Sequence, residues 1–195
     1  LGADALPVDD VRRLMVEAAR DVPVLLVDGN PGDTRTFGST TYLNVALAPI
    51  IDGRSTSLFA PRVISELELP RTPLAGYGAV VLSDIGPVDA TTAGMLHDYV
   101  TSGGMLLIFP GDRTRAADIN QALGASGAAI LPADYGQIVR LQTPDQLGMG
   151  LGFDPLHYAH PVLRPFAAAA KAGQPVGLES VQTTEYMKLS ILEHS

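Results

Sequence analysis

Val22-Pro23-Val24-Leu25-Leu26-Val27-Asp28-Gly29-Asn30-Pro31-Gly32-Asp33 is the stretch on which the fold turns. Its first six residues are a compact β-branched and Leu run, too short for a helix and apolar on both faces. The Gly, Asn and Pro that follow turn it into a strand entering a wide polar turn. A strand apolar on both faces belongs inside a parallel sheet with each face covered. Two runs downstream repeat the pattern: Ala79 to Ser83 ends at Asp84, and Met105 to Phe109 ends at Pro110-Gly111-Asp112.

Helical spacing fills the intervals. Ser39, Thr40 or Thr41 caps a helix over Tyr42, Leu43, Val45, Ala46 and Leu47 that stops before Pro49. Ser55 to Val63 reads as the second strand, with Ile64 to Leu69 leading out of it. Asp89 or Thr91 caps the clearest helix, which carries Ala93, Leu96, Tyr99 and Val100 on one face and ends at Ser102-Gly103-Gly104. Asp118 to Leu123 is a short helix closed by Gly124. Ala128 to Leu131 and Ile138 to Leu141 are weaker strand signals. Beyond Gly148 the pattern loosens, with an Ala-rich helix or loop at Pro165 to Gly173 and a strand beginning at Tyr186 to Leu192. Strands alternating with helices at this spacing predict an α/β domain with a mostly parallel sheet and right-handed crossovers.

The domain is expected over residues 21–175. Residues 1–20 read either as a short lead-in helix, with Asp9 and Asp10 before Val11, Leu14, Met15 and Ala18, or as the tail of a preceding domain. Residues 176–195 read as an exit strand toward a following segment. A start at Leu1 and a strand opening near the end are what a piece of a longer protein would show.

Composition narrows the function classes. The 195 residues are 46% apolar and 17% charged, with 6% aromatics and no Trp, so the core must be built from Val, Leu, Ile and Ala. The net charge is −8 and the 13 Lys and Arg are scattered, which argues against a nucleic-acid surface. The absence of Cys excludes disulfides, thiolate metal sites and a thiol nucleophile. No apolar run reaches the roughly 18–20 residues of a membrane span.

Ligands of open parallel sheets sit beyond the carboxyl ends of the strands. Asp28, Asp84 and Asp112 stand at three such ends. They would converge on a hard cation if the strands are neighbours, though Asp is equally the residue of turns and caps. Gly29 to Thr41 lies where a phosphate or sugar would rest, yet it matches neither dinucleotide nor P-loop patterns. The ligand-binding candidates are therefore Asp28, Gly29, Asn30, Ser83, Asp84, Asp112 and Arg113, with no cofactor and no resident metal expected. His157 and His160 are bracketed by Pro155 and Pro161 and read as loop residues, and His97 reads as a surface position on its helix. No G-x-S-x-G elbow occurs.

Several segments together carry a resemblance. They are Val24-Leu25-Leu26-Val27-Asp28-Gly29-Asn30-Pro31, Thr41-Tyr42-Leu43-Asn44-Val45-Ala46-Leu47-Ala48-Pro49, Tyr77-Gly78-Ala79-Val80-Val81-Leu82-Ser83-Asp84, and Tyr99 through Phe109-Pro110-Gly111-Asp112. In order and spacing the chain, from about Leu6 to Leu192, resembles the class I glutamine amidotransferase-like domain of large bacterial membrane-anchored proteins. Those proteins carry an aerotolerance-type N-terminal region and a von Willebrand factor A domain. The resemblance implies a three-layer flavodoxin-like fold shared with ThuA-like proteins. It also implies a membrane-associated parent chain, whose other domains and cell-envelope proteins are the partners.

The chain departs from the family at the elbow after Phe109. A working amidotransferase places a Cys there, activated by a His and oriented by a Glu, whereas this sequence has Pro110, Gly111 and Asp112. The expectation is a non-catalytic scaffold or binding module. The alternatives are a ThuA-like or metal-assisted hydrolase using the strand-end carboxylates, and a phosphate- or sugar-sensing domain.

Overall fold

Four parallel strands carry the principal sheet, and their order explains why two are buried and two stand open. The computed structural model describes residues 21–32, 37–51, 54–55, 57–141, 151–152, 161–174, 177–178 and 181–191. The lead-in at 1–20, His157, His160 and His194 and the end of the last strand at Leu192 lie outside the described residues. The chain divides into two compact units, Leu1–Ser83 with Thr101–Phe109, and Asp84–Val100 with Pro110–Ser195.

The first unit contains β1 (Val22–Asp28), α1 (Thr41–Leu47), the short strands β2 (Ile50–Ile51) and β3 (Arg54–Ser55), β4 (Phe59–Ser65), a 3-10 helix at Glu66–Arg71, β5 (Ala79–Ser83) and β6 (Met105–Phe109). The sheet order is β4-β1-β5-β6 and every neighbouring pair is parallel. Numbered among the parallel strands alone this is 2-1-3-4, which opens the flavodoxin-like order. The α/β class and the parallel sheet expected from the sequence are both present.

The apolar run of β1 takes an interior place because side chains on both its faces need cover. Val24 through Asp28 and Val80 through Ser83 are buried, whereas β4 and β6 at the edges are largely half-exposed or exposed. Leu43 and Leu47, one helical turn apart on α1, pack with Ala79 and Leu107 against Val24, Leu26 and Val81. Each fully buried side chain such as Leu26 contributes about 1.5–3 kcal/mol.

One strand boundary differs from the sequence reading. The second parallel strand runs from Phe59 to Ser65 rather than from Ser55 to Val63, and Ile64 and Ser65 pair with Val27 and Asp28. Ser55 instead pairs with Ile50 in a separate hairpin. The strand stops where a capping box starts the next turn. The Ser65 hydroxyl accepts the Leu67 amide, and Glu68 reaches back to the Ser65 amide.

The second unit contains α2 (Ala90–Thr101) up to Val100, α3 (Ala116–Leu123), β7 (Ala133–Arg140), β8 (Leu151–Gly152), a 3-10 turn at Pro161–Leu163, α4 (Arg164–Lys171), β9 (Gln182–Thr183) and β10 (Glu185–Ile191). The cap of α2 is Asp89, whose Oδ1 accepts the Thr92 amide at 2.8 Å. Ala93, Leu96 and Tyr99 are buried as their spacing predicts, and so are Ile119 and Leu123 of α3.

The strand expected at Ala128 to Leu131 is absent. The Ile130 and Leu131 amides donate to the Leu123 carbonyl and Ala129 has φ +53°, so the segment wraps the end of α3. β7 starts earlier than the Ile138 signal and pairs antiparallel with β10. Asn120 of α3 holds the other side of β7, donating to the Tyr135 carbonyl and accepting its amide, both at 2.8 Å. Among the described residues no helix is long and apolar enough to cross a membrane.

Candidate functional site

In the first unit the crevice of the sheet opens between β1 and β5, where the strand order reverses. Asp28 stands at this point, in register with Ser65 on one side and Ser83 on the other. Its Oδ1 accepts the Asn30 amide at 3.0 Å and the Ser39 hydroxyl at 2.7 Å. Its Oδ2 accepts the Thr40 hydroxyl at 2.6 Å and the Thr40 amide at 3.4 Å.

The same loop is stitched to β5. The Ser83 hydroxyl donates to the Ser39 carbonyl, while the Ser39 hydroxyl and the Gly29 amide both reach the Ser83 carbonyl. Gly38 passes so close that a Cβ there would lie 2.8 Å from Asp28 Oδ2 and 2.9 Å from the Pro31 carbonyl oxygen.

The Asp28 side chain is only 5% exposed. Burial by itself would raise its pKa. The hydrogen bonds from Thr40, Ser39 and Asn30 outweigh that and hold the carboxyl below its ordinary value. The carboxylate thus takes the donors that its own loop presents. Thr40 precedes α1 but makes no side-chain cap bond to the helix, because its hydroxyl serves Asp28.

In the second unit Asp84 and Gly111 fit together. Asp84 is buried in the left-handed region at φ +49°, and its Oδ1 accepts the Arg113 amide at 2.7 Å. A Cβ on Gly111 would lie 2.5 Å from the Asp84 Cγ and 2.6 Å from its Oδ1. The Asp84 side chain occupies the space that any side chain at position 111 would need. Thr114 closes the turn, accepting the Gly111 amide at 3.2 Å and donating to the Ile85 carbonyl at 3.1 Å.

Asp112 is exposed at the tip of this turn, and its charge acts on the Arg140 guanidinium. Arg140 binds Glu185 in a bidentate pair at 2.6 and 3.1 Å, and that hydrogen bonding holds the Glu185 carboxyl below its ordinary value. A cleft of about 400 Å³ has Pro110, Gly111 and Asp112 on one side and Ile138, Glu185 and Tyr186 on the other.

Of the sequence-derived candidates, Asp28, Gly29, Asn30 and Ser83 come together in the first unit through the hydrogen bonds above. Asp84 and Arg113 meet in the second, through the backbone amide of Arg113, with Asp112 next to Arg113 in the same turn. Among the described residues no three His, Cys, Asp or Glu side chains are placed to hold a metal ion, so the strand-end carboxylates form no such group. His97 is half-buried, with Nδ1 2.6 Å from the Ala128 carbonyl oxygen, and ties α2 to the segment after α3.

Sequence reasoning missed the partners that complete each cluster. Ser39 and Thr40 were expected as helix caps, and Thr114 carried no expectation. The Ser65-x-x-Glu68 spacing is a legible capping-box signal that would have placed the end of β4 correctly. No protein-family model, curated protein or solved structure matches this chain.

Proposed function

We propose that this chain is a non-catalytic module of the amidotransferase-like type, a scaffold or binding domain belonging to a larger membrane-anchored bacterial protein. The observation that carries the reading is the filled elbow. After β6 the turn presents Gly111 where its Cβ position is taken by Asp84, so a thiol or any other side chain there would have to displace Asp84. The chain also has no Cys with which to form a thioester. The 2-1-3-4 strand order is the one such a domain would have, and the cleft beside the turn leaves room for a bound group. Other domains of the parent chain and envelope proteins are the proposed partners.

A metal-assisted hydrolase has less support. Asp28 is saturated by loop donors, and the described residues offer no group of three ligating side chains. The test is turnover. Purified protein incubated with glutamine, and separately with activated esters and anilides, is expected to release no more product than a heat-denatured control. Ammonia release above that control, abolished by Asp112→Asn, would overturn the reading.

A further inference from the structure

We propose that the cavity between α1 and the end of β4 binds a neutral hydroxylated ligand, a monosaccharide or a comparable polyol. The inference rests on the reading of the chain as a binding module and names the ligand class that one of its sites would take.

The cavity has a volume of about 360 Å³ and lies at the carboxyl ends of β1 and β4. That is the low end of the range for small-molecule sites, in the position where open α/β sheets place them. Its chemistry is selective. Pro31, Val45, Val63 and Ile64 supply apolar surface suited to the C–H face of a sugar ring. The Thr41 hydroxyl and the Asn44 amide also line it, and within the described residues neither side chain makes a hydrogen bond. A half-buried amide offers two donors and an acceptor, and a hydroxyl offers one donor and an acceptor, which is the pairing that ligand hydroxyls satisfy.

Charge decides what is refused. Among the described residues Asp28 and Glu68 line the cavity, and no Lys, Arg or His does. These two carboxylates repel phosphates and uronic acids. A metal ion finds no better welcome, because the Asp28 oxygens are engaged and Glu68 Oε2 accepts the Ser65 amide. A neutral ligand that can present hydroxyls to Thr41 and Asn44 while resting on Val45 and Val63 fits both constraints.

The experiment uses the whole chain and a panel of glucose, galactose, mannose and N-acetylglucosamine, with glucose 6-phosphate and glucuronate as charged counterparts. At ten times its dissociation constant, at least one neutral sugar is expected to raise the melting midpoint by about 3–5 °C. It is also expected to shift the backbone amide resonances of Thr41, Asn44 and Ser65. The charged counterparts should do neither. Asn44→Leu should remove the stabilisation, and Thr41→Val, a smaller change, provides the same comparison if the first variant does not fold. The proposal fails if no neutral sugar moves those resonances, if the phosphorylated sugar binds as well, or if stabilisation survives in the folded variants. Ammonia release from glutamine would overturn the non-catalytic reading without touching these measurements, so the two failures are distinct.

Discussion

Asp28 and Asp84 end neighbouring runs of the sequence in the same way, yet they do different work. Asp28 neutralises the donors of its own loop. Its lowered pKa means that the stabilisation is complete above the ordinary aspartate value of about 3.9 and is lost as the pH falls through the lower folded value. Asp28→Asn is expected to cost about 1–3 kcal/mol near neutral pH, because its NH2 would face donors that one carboxylate oxygen accepted. The penalty should shrink in acid, which melting curves of both proteins between pH 3 and 7 would show. Equal penalties across that range would refute the role.

Asp84 acts by volume as well as by its bond to the Arg113 amide. Gly111→Ala should destabilise by about 1–3 kcal/mol through overpacking. The double variant Gly111→Ala with Asp84→Gly should recover part of that, as urea denaturation would reveal, since Gly also accepts the positive φ at position 84. Strict additivity of the two changes would contradict a steric fit. At this scale the sequence disclosed which residues stand at strand ends, because Asp before a turn is a local signal. It did not disclose what each carboxylate touches. Those partners, Ser39 and Thr40 for one and Arg113 and Gly111 for the other, lie far along the chain and are set by pairing of strands.

Elements were more legible than their boundaries. β1 and β5 were readable because an interior strand is apolar on both faces, β6, though at an edge, because Met105 to Phe109 is an unbroken apolar run, and α2 because Asp89 and Ser102-Gly103-Gly104 bracket its apolar face. β4 was misplaced because an edge strand needs less apolar side chain. Its residues Phe59, Arg62 and Val63 are exposed, so burial left no pattern to read. The Ala128 to Leu131 run was apolar for another reason, as the wrap around the end of α3, where Leu131 is buried. Asn120 holds β7 to α3 by mimicking a strand neighbour at Tyr135. Asn120→Ala should cost about 1–3 kcal/mol, since a half-buried amide and carbonyl lose their partners. It should also raise the hydrogen-exchange rate of the Tyr135 amide more than that of the Val80 amide in β5. Unchanged protection at Tyr135 would show that the clamp is idle.

For the whole molecule, the sequence conveyed the α/β class and the parallel sheet from the alternation of periods alone. It did not convey the strand order, which depends on which edges meet. The division into two units was equally invisible, since their segments interleave along the chain. That interleaving gives a prediction: a chain ending after Ser83 lacks β6 and leaves β5 as an open edge with Val80, Val81 and Leu82 bare. It should be recovered as aggregate on size exclusion, whereas the full chain elutes as a defined species. A monodisperse truncated product would show that the sheet does not need its fourth strand.

The fit between Asp84 and Gly111 also bears on how such a domain could change over generations. A reactive group at position 111 would have to wait for position 84 to shrink. Shrinking 84 first strips the Arg113 amide of its acceptor and confers no chemistry in return. Either order passes through a weakened intermediate, so the pairing of Asp84 with Gly111 resists stepwise change as by a ratchet. Drift would then work on the neighbouring clefts rather than on the turn itself.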